Sequence, residues 1–154
     1  MKTLITPTKV INLAFSQTEQ ATCKSIKDVK IVVAQERYIR PALGCNLYEA
    51  LLNGEYADFA EEYISPALAM YVRYITFVDF ALKLNDMGAQ SYVGINGTSA
   101  SSAERSEART QIRLDADTLL NSAIEYIQQN INDFPEYEYR EVKQRVHRAG
   151  GLIL

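Results

Sequence analysis

The chain has 154 residues, 47% of them hydrophobic, which suffices for one domain with a real core and is too short for two. A formal net charge of -3 denies the molecule as a whole the electrostatic footprint of a nucleic-acid binder, so DNA as main ligand is disfavoured. Cys23 and Cys45 have no His nearby, which argues against zinc and against a disulfide framework, and fits free thiols in a reducing compartment.

Leu4 and Ile5 open an apolar stretch, but Pro7, Thr8, Lys9 and Asn12 interrupt it, so no export signal is expected. Thr6-Pro7 reads as a helix start, and Val10, Ile11, Ala14 and Phe15 give that helix a short apolar face. Over residues 25–39, Ile26, Val29, Val32, Val33 and Ile39 keep helical spacing; length and flanking charges favour helix over strand for Ile31-Val32-Val33. A structural corner follows at Pro41, Gly44, Leu47 and Tyr48. Pro41 restrains its own φ and biases Arg40 away from the α region, and Gly44 can take a backbone conformation that other residues resist. Leu47, Tyr48, Leu51 and Leu52 then predict a short amphipathic helix.

Asn53-Gly54 is a turn signal, and the segment from near Tyr56 leads into a long helix over residues 57–87. Ile64, Leu68, Tyr71, Ile75, Val78 and Leu82 form one seam on it, with a second beside it through Ala67, Met70, Tyr74, Phe77, Ala81 and Leu84. Arg73, Thr76, Asp79, Lys83 and Asp86 line a narrow polar strip, and Pro66 marks a kink or the true start. Arg73 and Asp79 each cost about 2.5 to 3.5 kcal/mol at a bilayer centre, so a buried helix explains this run better than a membrane span. Residues 88–102 are a Gly/Ser/Asn-rich loop whose β-like content is confined to residues 91–95, and Asn96-Gly97 reads as a turn rather than a glycosylation acceptor. Ser101-x-x-Glu104 is a capping box opening the last long helix, whose seam runs through Ile112, Ala116, Leu119, Ala123 and Tyr126 or Ile127 until Asp133-Phe134-Pro135 stops it. No repeat at a fixed period is visible, which disfavours a solenoid.

The residues therefore predict an all-α single-domain helical bundle: two long helices, several short ones, the loop at 88–102 and an extended C-terminal arm. The helical domain spans residues 1–134 and the arm 135–154. No catalytic, cofactor-binding or metal-binding set stands out. His147 has no nucleophile or carboxylate pattern around it, and the pairs Glu61-Glu62 and Asp115-x-Asp117 lack the second cluster that acid/base or metal work requires. Ten Tyr and no Trp supply broad rings with polar tips, suited to core edges and interfaces alike. Arg105, Arg109 and Arg113 recur at i, i+4, i+8 and make a basic row, either a solvated face balanced by Glu104 and Glu107 or a contact with an acidic neighbouring subunit.

The arm is the partner-binding candidate: Tyr137, Tyr139, Arg140, Lys143, Arg145 and Arg148, then Gly150-Gly151, then Leu152, Ile153 and Leu154. Burying those last three side chains contributes about 1.5 to 3 kcal/mol each before ordering costs, enough for an anchor when many copies act together. The competing reading folds the arm back on its own domain.

The pattern Ile39-x-Pro41-x-Leu43-Gly44-x-x-Leu47-Tyr48-x-x-Leu51, with Ile5-Thr6-Pro7 before it and Phe134-Pro135-Glu136-Tyr137 and a Gly-Gly-apolar terminus after it, resembles small helical head-tail connectors of tailed phages, as found in phages and prophages of gut Bacteroidetes. The resemblance implies a head-completion adaptor of the virion, assembled in the host bacterial cytoplasm. Such an adaptor has no enzymatic activity and no cofactor. Its partners would be identical subunits in a ring of roughly twelve, the portal protein, and tail or further connector proteins. DNA would pass through the lumen without sequence recognition, and no membrane is involved. A cytoplasmic helical interaction or regulatory domain, binding a partner peptide with the same Tyr-rich surface, is the alternative class.

Overall fold

The computed structural model describes residues 2–16, 26–85, 88–91 and 101–137. Helix α1 (Pro7–Ala14) starts where the Thr6 hydroxyl accepts from Lys9 N at 3.3 Å, with Pro7 in a position that needs no N–H. Helix α2 (Asp28–Ala34) continues through a π-turn (Gln35–Ile39) into α3 (Arg40–Leu43), and α4 (Cys45–Leu52) follows Gly44. The short α5 (Ala57–Phe59) passes through a second π-turn (Ala60–Ile64) into α6 (Ser65–Ala81). Strands β1 (Leu82–Asn85) and β2 (Gly88–Ser91) pair antiparallel, Leu82 opposite Ser91 and Asn85 opposite Gly88. Helix α7 (Ser102–Gln129) and a 3-10 turn (Ile131–Asp133) complete the described chain.

The architecture is all-α apart from that hairpin, with α6 at its centre, packed against α1, α2 and α7. Its seam is fully buried at Ile64, Leu68 and Val72, and α7 presents Ile112, Ala116, Leu120, Ala123 and Ile127 to it, with Leu119 half-buried beside them. The capping box forms in both directions: Ser101 Oγ accepts from Glu104 N at 3.2 Å, and Ser101 N donates to Glu104 Oε2 at 2.7 Å. Those bonds hold the Glu104 carboxyl below its usual range, the backbone bond contributing most.

Several expectations need correction. Arg40 is helical (φ -56°, ψ -45°), so the chain does not turn at Pro41; it turns at Gly44, at φ 82° and ψ 166°. The π-turn supplies the reason. Arg40 N donates to Gln35 O, five residues back, and the widened turn carries the preceding carbonyls clear of the Pro41 ring. The central helix ends at Ala81 rather than near residue 87: Leu82-Lys83-Leu84-Asn85 alternates apolar and polar, and that period of two prevails as β1. Strand content among the described residues thus falls at 82–85 and 88–91, meeting the expected 91–95 at Ser91, and residues 92–95 lie outside the described residues. Thr76 does not join a polar strip; it is 1% exposed and returns its hydroxyl to Val72 O at 2.7 Å. Tyr137, counted with the arm above, is 7% exposed and belongs to the core, with its N–H on Phe134 O at 3.0 Å.

The π-turns expose a sequence likeness that a search for periodic repeats passes over. Glu36-Arg37-Tyr38-Ile39-Arg40-Pro41-Ala42-Leu43 and Glu61-Glu62-Tyr63-Ile64-Ser65-Pro66-Ala67-Leu68 agree at six positions, and each begins inside a π-turn that ends two residues before its proline. In the second copy Ser65 N donates to Ala60 O, as Arg40 N does to Gln35 O in the first. After the shared Pro-Ala-Leu the copies part. Gly44 breaks the first helix, whereas Ala69 lets the second run on as α6.

Candidate functional site

Three features stand out on the folded chain: a cationic-aromatic seam, a clamped corner and an acidic end. The seam lies where the first π-turn, α6 and α7 meet. Tyr38 and Tyr71 stack with ring centroids 4.2 Å apart at 8°, and Tyr74 meets Tyr38 edge-on at 6.5 Å. The Arg113 guanidinium lies 4.8 Å from the Tyr38 ring, 5.8 Å from Tyr71 and 5.5 Å from Tyr74, while Arg109 sits 4.7 Å over Tyr74. Arg113 Nε also donates to Asp117 Oδ1 and Oδ2 at 3.0 and 3.1 Å, and the Tyr71 hydroxyl donates to Asp117 Oδ1 at 2.5 Å. Burial, and then that carboxylate, push the Tyr71 phenol far above its ordinary range, so it stays a donor at any working pH.

Of the predicted basic row, Arg113 is thus engaged within its own chain. Arg109 stays exposed above a ring, and Arg105 donates to the Ser101 carbonyl at 3.4 Å. Helix position explains the difference. Residues 101–111 are exposed, Arg105 being half-buried, so α7 meets the core only from Ile112 onward. An α-helix of 28 residues is about 42 Å long, and its first turns have no covering from the described residues.

The corner is held by buried polar contacts that periodicity does not reveal. Gln35, fully buried, accepts from Leu4 N at 2.8 Å through Oε1 and donates to the Tyr48 hydroxyl at 3.0 Å through Nε2. Tyr48 in turn donates to Glu36 Oε1 at 3.1 Å, and Glu36 receives Arg40 Nη1 at 2.7 Å, which holds the Glu36 carboxyl below its usual range. Leu43, Leu47 and Tyr48 are buried, so Gly44, Leu47 and Tyr48 are brought together as a structural corner, with Pro41 on its exposed side.

At the other end, Phe59, Tyr63, Tyr126 and Phe134 form an aromatic cluster; Tyr63 and Tyr126 stack at 4.5 Å, and Phe59 meets Phe134 edge-on at 4.9 Å. Tyr56 joins it from a left-handed conformation (φ 54°), its ring 5.0 Å from Phe134 and its hydroxyl donating to Glu136 Oε2 at 2.5 Å. That bond, with Glu136, Glu55 and Asp133 adding negative charge, raises the Tyr56 pKa to about 12. The folded value lies above the unfolded one of about 10, so the contribution is whole below pH 10 and is lost as pH rises towards 12. Tyr56→Phe should therefore flatten the fall in thermal midpoint between those pH values; an unchanged alkaline slope would show that the bond does not form in solution.

The two stretches that supply this cluster carry charge of one sign. Residues 41–72 contain Glu49, Glu55, Asp58, Glu61 and Glu62, residues 114–137 contain Asp115, Asp117, Glu125, Asp133 and Glu136, and neither stretch has a Lys or Arg. The second π-turn packs against α7, which brings the two stretches together. Lys9 pairs with Glu61 there.

The remaining predicted contacts, Tyr139, Arg140, Lys143, Arg145, Arg148, Leu152, Ile153 and Leu154, lie outside the described residues, as do His147, Cys23 and residues 92–100 of the loop. Among the described residues no helix is long and apolar enough to cross a membrane, and no group of three or more His, Cys, Asp or Glu is placed to hold a metal ion.

A family model described as a family of unknown function, DUF6712, matches residues 32–145. No curated protein and no solved structure matches the chain.

Proposed function

This chain belongs to DUF6712, a family of unknown function, and we propose that it is a virion structural protein: a head-tail connector subunit that closes into a ring between portal and tail. The observation that carries this reading is the segregation of charge. Residues 41–72 and 114–137, which carry acidic side chains and no Lys or Arg of their own, are followed in the chain by Arg140, Lys143, Arg145 and Arg148. Unlike charge on two segments of one chain is what a head-to-tail contact between identical subunits can use, and such contacts close into rings when the rotation permits. The first turns of α7, exposed among the described residues at Glu104, Glu107 and Arg109, carry charge of both signs and offer a second face for a neighbour. An acidic end also repels the phosphate backbone, which suits a channel through which DNA moves without being held.

In this reading the helical body meets its neighbours and Leu152, Ile153 and Leu154 anchor the ring to the portal or the next collar. Weak contacts per subunit suffice, because a closed ring multiplies them. Mass measurement and electron microscopy of the full chain, with and without a portal protein, test it. The connector assembles and binds portal, and lowering ionic strength favours assembly. Deleting residues 152–154 should weaken portal association by roughly tenfold or more. Undiminished affinity after the deletion overturns the role given to the arm, and a chain that stays monomeric beside portal favours the cytoplasmic interaction domain.

A further inference from the structure

We propose that Arg105 and Arg109 of one subunit seat on the stacked Tyr63 and Tyr126 rings of the next, with their guanidinium groups against Glu62 and Glu125. One arrangement, complete at a first place in the chain and divided between two others, leads to this contact.

The complete arrangement is the seam around Arg113. There the first π-turn supplies Tyr38, stacked on Tyr71 at 4.2 Å, and the Arg113 guanidinium lies 4.8 Å from the Tyr38 ring while its Nε donates to Asp117. The second π-turn repeats the motif with Tyr63 in the place of Tyr38, stacked on Tyr126 at 4.5 Å, and both rings are half-buried. Carboxylates accompany this pair too. Glu62 and Glu125 are exposed next to the two tyrosines in the chain, and desolvation and then Glu62 push the Tyr63 phenol above its ordinary range. Among the described residues, however, no Lys or Arg lies over either ring.

Arg105 and Arg109 have the reverse deficit. Arg109 is exposed with its guanidinium 4.7 Å over the Tyr74 ring, and Arg105 donates to the Ser101 carbonyl at 3.4 Å; neither meets a carboxylate among the described residues. Their neighbours three and four residues away along α7 are Ser, Ala, Ile and Arg, so like charges repel down the row and no acid at those positions offsets them. Arg105 also stands one turn from the N-cap Ser101, where the helix dipole disfavours a cation. An acidic neighbour relieves both costs. The two halves do not meet within one body, because Arg109 and Tyr126 lie 17 residues apart on the same helix, about 25 Å along its axis. Joining the basic row of one copy to the tyrosine pair of another is a heterologous contact, and opposite charge fixes its register.

This inference rests on the self-association proposed above, and the test separates the two. Two full-length variants are made, one with Arg105→Glu and Arg109→Glu, the other with Glu62→Arg and Glu125→Arg, and sedimentation velocity follows each alone and both in equal mixture. Alone, each variant sets like charges face to face, and its self-association should fall by roughly tenfold or more. Mixed, every contact pairs opposite charges, and assembly should return towards the wild-type level, which also shows that both variants are folded. The milder Arg109→Gln should weaken association and reduce its dependence on salt. Variants that assemble alone as the wild type does overturn the contact and leave the ring standing; that is the result expected if Arg140 of the same chain covers the tyrosines instead. A mixture that stays dissociated, with the circular dichroism of both variants unchanged, overturns it equally. If the wild-type chain forms no oligomer at any concentration, both proposals fall.

Discussion

Gly44→Ala is expected to lower the stability of the chain by about 1 to 3 kcal/mol, the usual cost of forcing a side chain into a backbone region that only glycine occupies freely. At φ 82° and ψ 166°, Gly44 is both the C-cap of α3 and the residue before the first turn of α4, and it directs Leu47, Tyr48 and Leu51 into the core. Alanine there has two poor choices. It can keep the corner and bear the strain, or it can take helical angles and carry α4 away from the core. The other copy of the Glu-x-Tyr-Ile-x-Pro-Ala-Leu segment shows the second outcome, since Ala69 follows Leu68 inside a continuous helix. A shifted urea midpoint, with the slope of the transition unchanged, is the expected readout; a midpoint equal to wild type would mean that the corner does not depend on glycine.

Asp117→Ala is expected to cost about 1 to 3 kcal/mol, because it removes the acceptor of two groups at once. Tyr71 is 2% exposed and cannot turn its hydroxyl to bulk water, whereas Arg113 and Asp117, with side chains 23% and 31% exposed, are partly served by solvent, which places the effect below that of a fully buried ion pair. The double mutant with Tyr71→Phe decides the assignment. Once the hydroxyl is gone, the cost of losing Asp117 should shrink by 0.5 kcal/mol or more, about the least coupling expected of groups in direct contact. Additive losses would mean that Asp117 serves Arg113 alone. Arg113→Lys should not rescue the seam, since an ammonium does not stack on the Tyr38 and Tyr74 rings as a guanidinium does.

The helices were legible because their signals are local. Thr6-Pro7, Ser101-x-x-Glu104 and the seams of α6 and α7 each lie within a few residues of one another; both caps form as expected, and Ile64, Leu68 and Tyr71 and then Ile112, Ala116 and Ala123 are buried as expected, while Leu82 and Leu84 pass to β1 and Leu120 rather than Leu119 is the buried leucine. The π-turns were not, because a hydrogen bond five residues back rather than four leaves no mark on hydrophobic spacing; only the recurrence of Tyr-Ile-x-Pro-Ala-Leu signals it. Contacts such as Tyr71 with Asp117, Tyr56 with Glu136 and Gln35 with Leu4 join residues far apart in sequence, so no window along the chain contains them. Tyr137 was misassigned for a related reason. It follows a Pro and sits among charges, and only the fold shows that Phe134 and the 3-10 turn bring it back to the core.

Each π-turn holds one residue more than regular helix geometry requires and takes it up within its own wide turn; wound as ordinary α-helix, that surplus would rotate everything downstream by about 100°. Single-codon insertions and deletions therefore have two natural resting places in this gene, around positions 35–39 and 60–64. Losing a residue there would restore ordinary winding and leave the following segment's side chains facing the same neighbours, so alignments of relatives should be allowed a one-residue gap at those positions before any elsewhere in the helices.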